Sequence, residues 1–208
     1  VFVGRIGTPE LASTTIAWRI NGAAFFPIIG LSEAIRTLVG QAQGRHEPDT
    51  SVRITVQGLL VAEVWMVATA AAFVLIPRPL YALFETTGGA GAAAFGTVAD
   101  IGVVLLRFVA VYCLLDAFNI VLSGTLQAAG DTRWTMWVSV LAHGLFLAAL
   151  LVCDGLRLGL YAEWTVATVF VVAIAFVWLW RFRTGAWRHI RVIEPAEPVC
   201  RLTDQAIL

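Results

Sequence analysis

The sequence predicts an all-α, polytopic membrane helix bundle: about five full transmembrane helices behind a short N-terminal stub. Three observations predict it. Hydrophobic residues make up 59% of the 208-residue chain and charged residues only 13%, about half the charged share of an ordinary soluble domain. Mean hydropathy is +0.83. Five segments each supply the roughly 20 mostly apolar residues that a helix needs to cross a bilayer.

The elements follow in order. VFVGRIG reads as the tail of an apolar helix cut off upstream, with neither a signal peptide nor an initiator Met, so a fragment of a longer chain is expected. Thr8-Pro9-Glu10 opens the first span, with Thr as N-cap, Pro at the first helical position and an acid in the first turn. That span runs over about 10–41, with Pro27 expected to kink it. The second span covers about 51–76 and stops before Pro77-Arg78-Pro79. The third covers about 97–129 and closes at Gly130, a C-cap residue. Asp131-Thr132 starts the fourth, 132–153, and the fifth covers about 161–182. The loop 77–96 is rich in small residues, and RTGAWRHIRVI suits a short interfacial helix. Residues 185–208 are expected to form a tail, partly disordered at EPAEPVCRLTDQAIL.

Arginine placement sets the topology. Alternating the loops puts Arg5, Arg78 and Arg157 on one side. The other side holds Arg36, Arg45, Arg53, Arg133, Arg181, Arg183, Arg188, Arg191 and Arg201. Nine against three places the second side, and the C-terminus, in the cytoplasm of an inner-membrane protein. Trp134, Trp137, Trp178, Trp180 and Trp187 suit an aromatic belt at that face, and Trp164 suits one at the opposite face.

Several function classes fall away. A formal net charge of zero gives no basic face for nucleic acid. Cys113, Cys153 and Cys200 have no partner at metal-ligand spacing. No HExxH, GxSxG or phosphate loop is present, so neither an enzyme nor a cofactor is expected.

Polar residues inside the spans are the candidates. Asp116 sits near the middle of LLRFVAVYCLLDAFNIVLSGTLQAAGDTR, where a carboxylate costs roughly 2.5–3.5 kcal/mol on insertion scales. Tyr112, Asp116, Asn119, Ser123 and Gln127 follow at steps of four, three, four and four, so they share one helix face. That stripe must face protein or a wet cavity rather than lipid. It is either a structural hydrogen-bond seam or a cation site that protonation switches off. Of the rest, Glu33 and Arg36 suit a local ion pair. Glu63 is open between pairing with an arginine and a site role. His143 suits a packed neutral imidazole. Arg19 and Arg107 can snorkel or pair, and Thr14, Thr15 and Asn21 make the outer half of the first span polar.

The stretch RIGTPELASTTIAWRINGAAFFPIIGLSEAIRTLVGQAQGR resembles part of the multidrug and toxin extrusion (MATE) family. The shared features are Gly7, Leu11-Ala12, Pro27, Gly30, Ala34 and Val39-Gly40-Gln41 with Gly44. SGTLQAAGDTRW and WRFRTGAWRHI match two later family segments in the same order. The resemblance covers residues 1–194. It implies that the stub ends helix seven and that the spans are helices eight to twelve, with residues 1–184 forming the C-terminal lobe of a two-lobe transporter. It implies export of small organic cations against inward H+ or Na+, with membrane lipid and an absent N-terminal lobe as partners. Asp116 and Tyr112 match a carboxylate and tyrosine used in one branch, which makes Na+ at Asp116 the one metal ion to consider. Asn119 and Ser123 join them as candidate coupling residues, with Thr15, Asn21, Glu63 and Glu33 secondary. Departures concern the coupling ion: Thr14-Thr15 replace a histidine-glutamine pair, and Glu33 stands where a small or neutral residue is usual. Two alternatives stay open. One is a flippase for lipid-linked oligosaccharides, for which Arg19 and Arg107 would have to hold pyrophosphate; the other is a non-transporting membrane fragment.

Overall fold

The computed structural model of the chain describes residues 7–85 and 92–190, apart from the side chains of 92–94. Both the N-terminal stub and the distal tail expected above lie outside these residues. Among the described residues six α-helices follow one another: α1 Thr8–Gly44, α2 Pro48–Leu75, α3 Pro77–Ala82, α4 Ala92–Ala128, α5 Thr132–Gly155 and α6 Leu160–Thr184. A 3-10 turn, Ala186–His189, comes last. All but α3 are long and apolar enough to cross a membrane. Each span agrees with its expected bounds to within a few residues.

Three details differ from expectation. Gly7, not Thr8, is the N-cap of α1, and no side-chain cap bond forms there. Part of the 77–96 loop is the short helix α3. The proximal tail is no surface helix: Trp187 is fully buried, stacked on Phe182 at 5.3 Å, with its indole N–H donating to the Phe182 carbonyl at 3.0 Å. Gln43 of α1 donates toward the carbonyls of Arg188 and Ile190 at 3.3 and 3.2 Å, tying this turn to the bundle.

The helix ends explain the tight connections. Gly130 adopts φ 90°, its N–H bonds to the Gln127 carbonyl, and the Asp131 N–H bonds to the Leu126 carbonyl. This is the paired pattern of a Schellman cap. The same pattern recurs at His46 and Arg157, which hold φ 60° and 53° without being glycine.

The central helix is α4. Leu105, Leu106, Val109, Cys113, Ala117, Val121 and Leu126 are fully buried within it, whereas α5 buries only Thr135 and Cys153. Lipid tails are as apolar as leucine, so water exclusion does not drive one helix against another inside the bilayer. Close approach at small residues and interhelical hydrogen bonds do that. A Cβ on Gly58 would collide with Ile35, and one on Gly124 would lie 3.1 Å from Ser32 Oγ. Ser32 donates to the Ile120 carbonyl at 3.2 Å. Thr55 donates to Ser51 O at 2.8 Å, so its 3.1 Å contact with Thr125 uses the Thr125 proton. Each such bond contributes on the order of 0.6 kcal/mol. Helix α1 continues through Pro27, and the Trp65 indole N–H reaches the neighbouring Ala24 carbonyl at 2.9 Å, the kind of cross-helix support a proline-disrupted turn uses.

Of the arginine-rich side of the expected topology, Arg36, Arg181 and Arg188 meet Gln127, Asp131 and Asp49 at one end of the bundle. There Arg181 contacts Asp131 at 2.7 Å, with side-chain exposures of 20% and 7%, and its guanidinium lies over Trp134 at 4.8 Å. At the other end, Tyr81 of α3 is fully buried. Its hydroxyl donates to the Ser13 carbonyl at 2.9 Å, and its ring fills the space where a Cβ on Gly102 would be.

Candidate functional site

A cavity of about 580 Å³ opens among α1, α4, α5 and α6. Helical periodicity supplies its walls. Thr14, Trp18, Asn21 and Phe25 of α1 line it at steps of four, three and four, which keeps them on one face. Tyr112, Asp116 and Ile120 line it from α4, and Phe146 and Leu150 from α5, each at steps of four. From α6 come Glu163, Trp164, Ala167, Phe170 and Val171. The walls are chiefly aromatic and aliphatic, with two carboxylates, and no basic residue is among the described lining residues.

Asn119 fixes the Asp116 carboxylate. Its amide donates to Asp116 Oδ1 at 3.0 Å and to the Val171 carbonyl at 3.1 Å, joining α4 to α6. Asn119 Oδ1 is buried and without a hydrogen-bond partner among the described residues, as are the Tyr112 hydroxyl and Thr14 Oγ1. Buried polar groups normally find partners. Of these three residues, Tyr112 and Thr14 line the cavity, and their unmet hydrogen bonds fit a site whose ligand completes them. Asp116 makes no ion pair among the described residues; the acids paired with arginine are Glu33, Glu47, Asp49, Asp100 and Asp131.

The stripe on α4 therefore divides. Tyr112 and Asp116 reach the cavity, and Asn119 stands behind them. Ser123 turns back to its own helix, donating to the Asn119 carbonyl. Gln127 accepts from Arg36 at 3.0 Å, and Arg36 also pairs with Glu33 at 3.0 Å on the exposed surface, the local pair the spacing predicts. Asn21 is in the lining and accepts a weak 3.8 Å contact from the Cys113 thiol. Thr15 is not in the lining: it is exposed and donates to the Leu11 carbonyl at 2.8 Å, and its neighbour Thr14 takes the inward position. Glu63 lies on α2, outside the described lining of the cavity, half-buried, with Oε1 unpartnered among the described residues. His143 donates from Nδ1 to the Ser139 carbonyl at 2.7 Å and meets the Phe170 ring edge-on.

Trp164 corrects the expected aromatic belt. It is 5% exposed, lines the cavity and stands 6.1 Å from Trp18, ring centroid to centroid. Trp178 is buried too, whereas Trp137 and Trp180 are more than half exposed. The sequence reading also missed Trp18, Glu163 and Phe170. For Trp18 the available signal was the Thr14, Trp18, Asn21, Phe25 periodicity on α1, which marks one face as the α4 stripe does; Glu163 and Phe170 on α6 had no such signal.

Comparison with known proteins places this geometry. The MatE family model matches residues 1–151. A probable multidrug resistance protein NorM from Bradyrhizobium diazoefficiens is 26% identical over 192 residues, covering 91% of this chain and 40% of the relative. A NorM of the same description from Synechocystis is 24% identical over 207 residues, covering 96% and 42%. The chain thus spans about two-fifths of the length of the curated relatives it matches. Among solved structures, a MATE protein in complex with MaL6 aligns with TM-score 0.74 and 22% identity over 91% of this chain and 42% of that one. A MOP superfamily transporter from Pyrococcus furiosus aligns with TM-score 0.76 and 21% identity, covering 91% and 43%. At such identities the structural likeness establishes the fold.

Proposed function

Because this chain belongs to the MatE family, we propose that it forms the C-terminal lobe of a secondary antiporter that exports amphipathic cationic compounds against inward H+ or Na+. One observation carries this reading. The roughly 580 Å³ cavity combines aromatic walls, the Asp116 carboxylate and two hydroxyls without a partner among the described residues, with no arginine in its described lining. A large, mostly apolar cavity with a few convergent polar groups is the usual form of a small-molecule site, and an intramembrane acid with no arginine partner among the described residues favours cations.

In this mechanism the coupling ion and the substrate compete for Asp116. Asn119, itself anchored to the α6 backbone at Val171, holds the carboxylate in place, so that neutralising it does not swing it away. An ion entering from outside cancels the charge and releases the substrate, and its departure inside restores the site. Tyr112, one turn before the acid, and Thr14, farther along the same cavity, offer oxygen donors of the kind a hard cation such as Na+ requires. Binding between two lobes near the membrane midplane is the pattern of repeat-built transporters, so an N-terminal lobe completes the cavity. The end bearing Arg36, Arg133, Arg181 and Arg188 then faces the cytoplasm of the inner membrane.

An oligosaccharide flippase would need a positively charged cavity. Arg19 and Arg107 are exposed and absent from the described lining, which argues against that alternative. The test is dye efflux from cells that lack their major pumps and carry the full-length protein. Asp116→Asn is expected to cut efflux at least about tenfold, the factor set by 1.4 kcal/mol. Normal drug resistance in that variant would remove Asp116 from the mechanism.

A further inference from the structure

The cavity contains a second carboxylate that the competition at Asp116 does not use. Glu163 stands in the first turn of α6. It is 8% exposed and lines the same cavity as Asp116. Its height follows from the helices. Asn119 and Val171 are hydrogen-bonded and so mark one level of α4 and α6. Both helices run the same way, away from the α3 end of the bundle. Asp116 precedes Asn119 by three residues and Glu163 precedes Val171 by eight, so at about 1.5 Å per residue Glu163 lies roughly 7 Å farther out.

The surroundings of Glu163 suit a cation. Trp164 follows it in sequence, and the Trp18 ring adjoins Trp164 at a 34° tilt. Their 6.1 Å centroid separation leaves no slot for a flat ring between them, which needs about 3.5 Å on each face. The pair is a wall rather than a clamp, and a cation beside it gains from the ring faces. Thr14 Oγ1, on the same α1 face one turn before Trp18, is buried without a partner among the described residues. No arginine is among the described residues lining this part of the cavity.

We propose that Glu163, Trp18 and Trp164 form an outer anionic subsite that takes the second positive charge of dicationic aromatic substrates, while Asp116 takes the first. The subsite rests on the reading of the cavity as an organic-cation site. It makes charge number, beyond size and hydrophobicity, a determinant of selectivity.

A matched pair of dyes tests this. Ethidium is a phenanthridinium monocation; propidium keeps that ring system and adds a quaternary ammonium on a short arm. Binding of each to the purified full-length protein in nanodiscs is measured for wild type, Glu163→Gln and Glu163→Asp. The wild type should prefer propidium by at least about tenfold, as one charged interaction supplies. Glu163→Gln should erase that preference while weakening ethidium no more than about threefold, and Glu163→Asp should keep most of it, which separates lost charge from misfolding. Ethidium binding with no preference for propidium, or an equal loss of both dyes in Glu163→Gln, would overturn the subsite alone. Binding of neither dye to the wild type would overturn the organic-cation reading and the subsite with it.

Discussion

Asn119 donates to the Asp116 carboxylate at 3.0 Å and, with the same amide, to the α6 backbone at Val171. One side chain thus positions the acid and joins two walls of the cavity. Asn119→Ala should lower stability by about 0.6–1.7 kcal/mol, the range for interhelical hydrogen bonds in membranes. Its effect on efflux should be larger than that loss of folded protein explains. Efflux normalised to folded protein in the membrane checks this; a loss accounted for by abundance alone would make Asn119 a structural bond only.

Tyr81 wedges α3 between α1 and α4, so Gly102→Ala should be disruptive. The added methyl meets the Tyr81 ring, and overpacking costs about 1–3 kcal/mol. Combining it with Tyr81→Ala should recover much of the loss, measured by thermal melting in detergent.

Burial pushes the Tyr81 phenol up to about 12, against a smaller opposing effect of the Ser13 hydrogen bond. The folded state therefore holds its proton more tightly than the unfolded chain. Its contribution is fully present below about 10, the unperturbed value, and is lost as pH rises toward about 12. Melting temperature should fall across that window in the wild type, and the fall should be shallower in Tyr81→Phe.

Asp131 and Arg181 form the least exposed ion pair of the described residues. Asp131→Ala leaves the guanidinium partly buried beside Trp134 and should cost about 3 kcal/mol. Asp131→Asn with Arg181→Met should cost less than Asp131→Ala alone, because no charge is left stranded. Chemical denaturation of the single and double variants decides it.

His46 caps α1 with φ 60°. Glycine adopts that conformation without a Cβ penalty of roughly 1 kcal/mol. His46→Gly should raise the melting temperature by a few degrees. No change would mean that the His46 side chain offsets its own strain.

The bilayer made the spans legible. A segment in lipid must be long, apolar and internally hydrogen-bonded, so all five appeared in sequence with bounds close to those observed. The Glu33–Arg36 pair and the glycine cap at Gly130 were legible for a similar reason, since each is a local relation within a turn or two. The short helix α3 was not, because two prolines and a run of small residues disguise a six-residue helix whose place depends on Tyr81 finding Gly102.

By itself the sequence determined the helices, their alternation and the polar stripe that brings Tyr112 and Asp116 to one face. Only the tertiary structure decided that Thr14 rather than Thr15 turns inward, that Trp164 leaves the membrane surface for the cavity, and that Glu163 shares a chamber with Asp116. Hydrophobicity cannot report which way a membrane helix is rotated, because lipid and protein interior are equally apolar. Where polar residues are sparse or adjacent, that rotation is set by small-residue contacts and hydrogen bonds between helices distant in the chain.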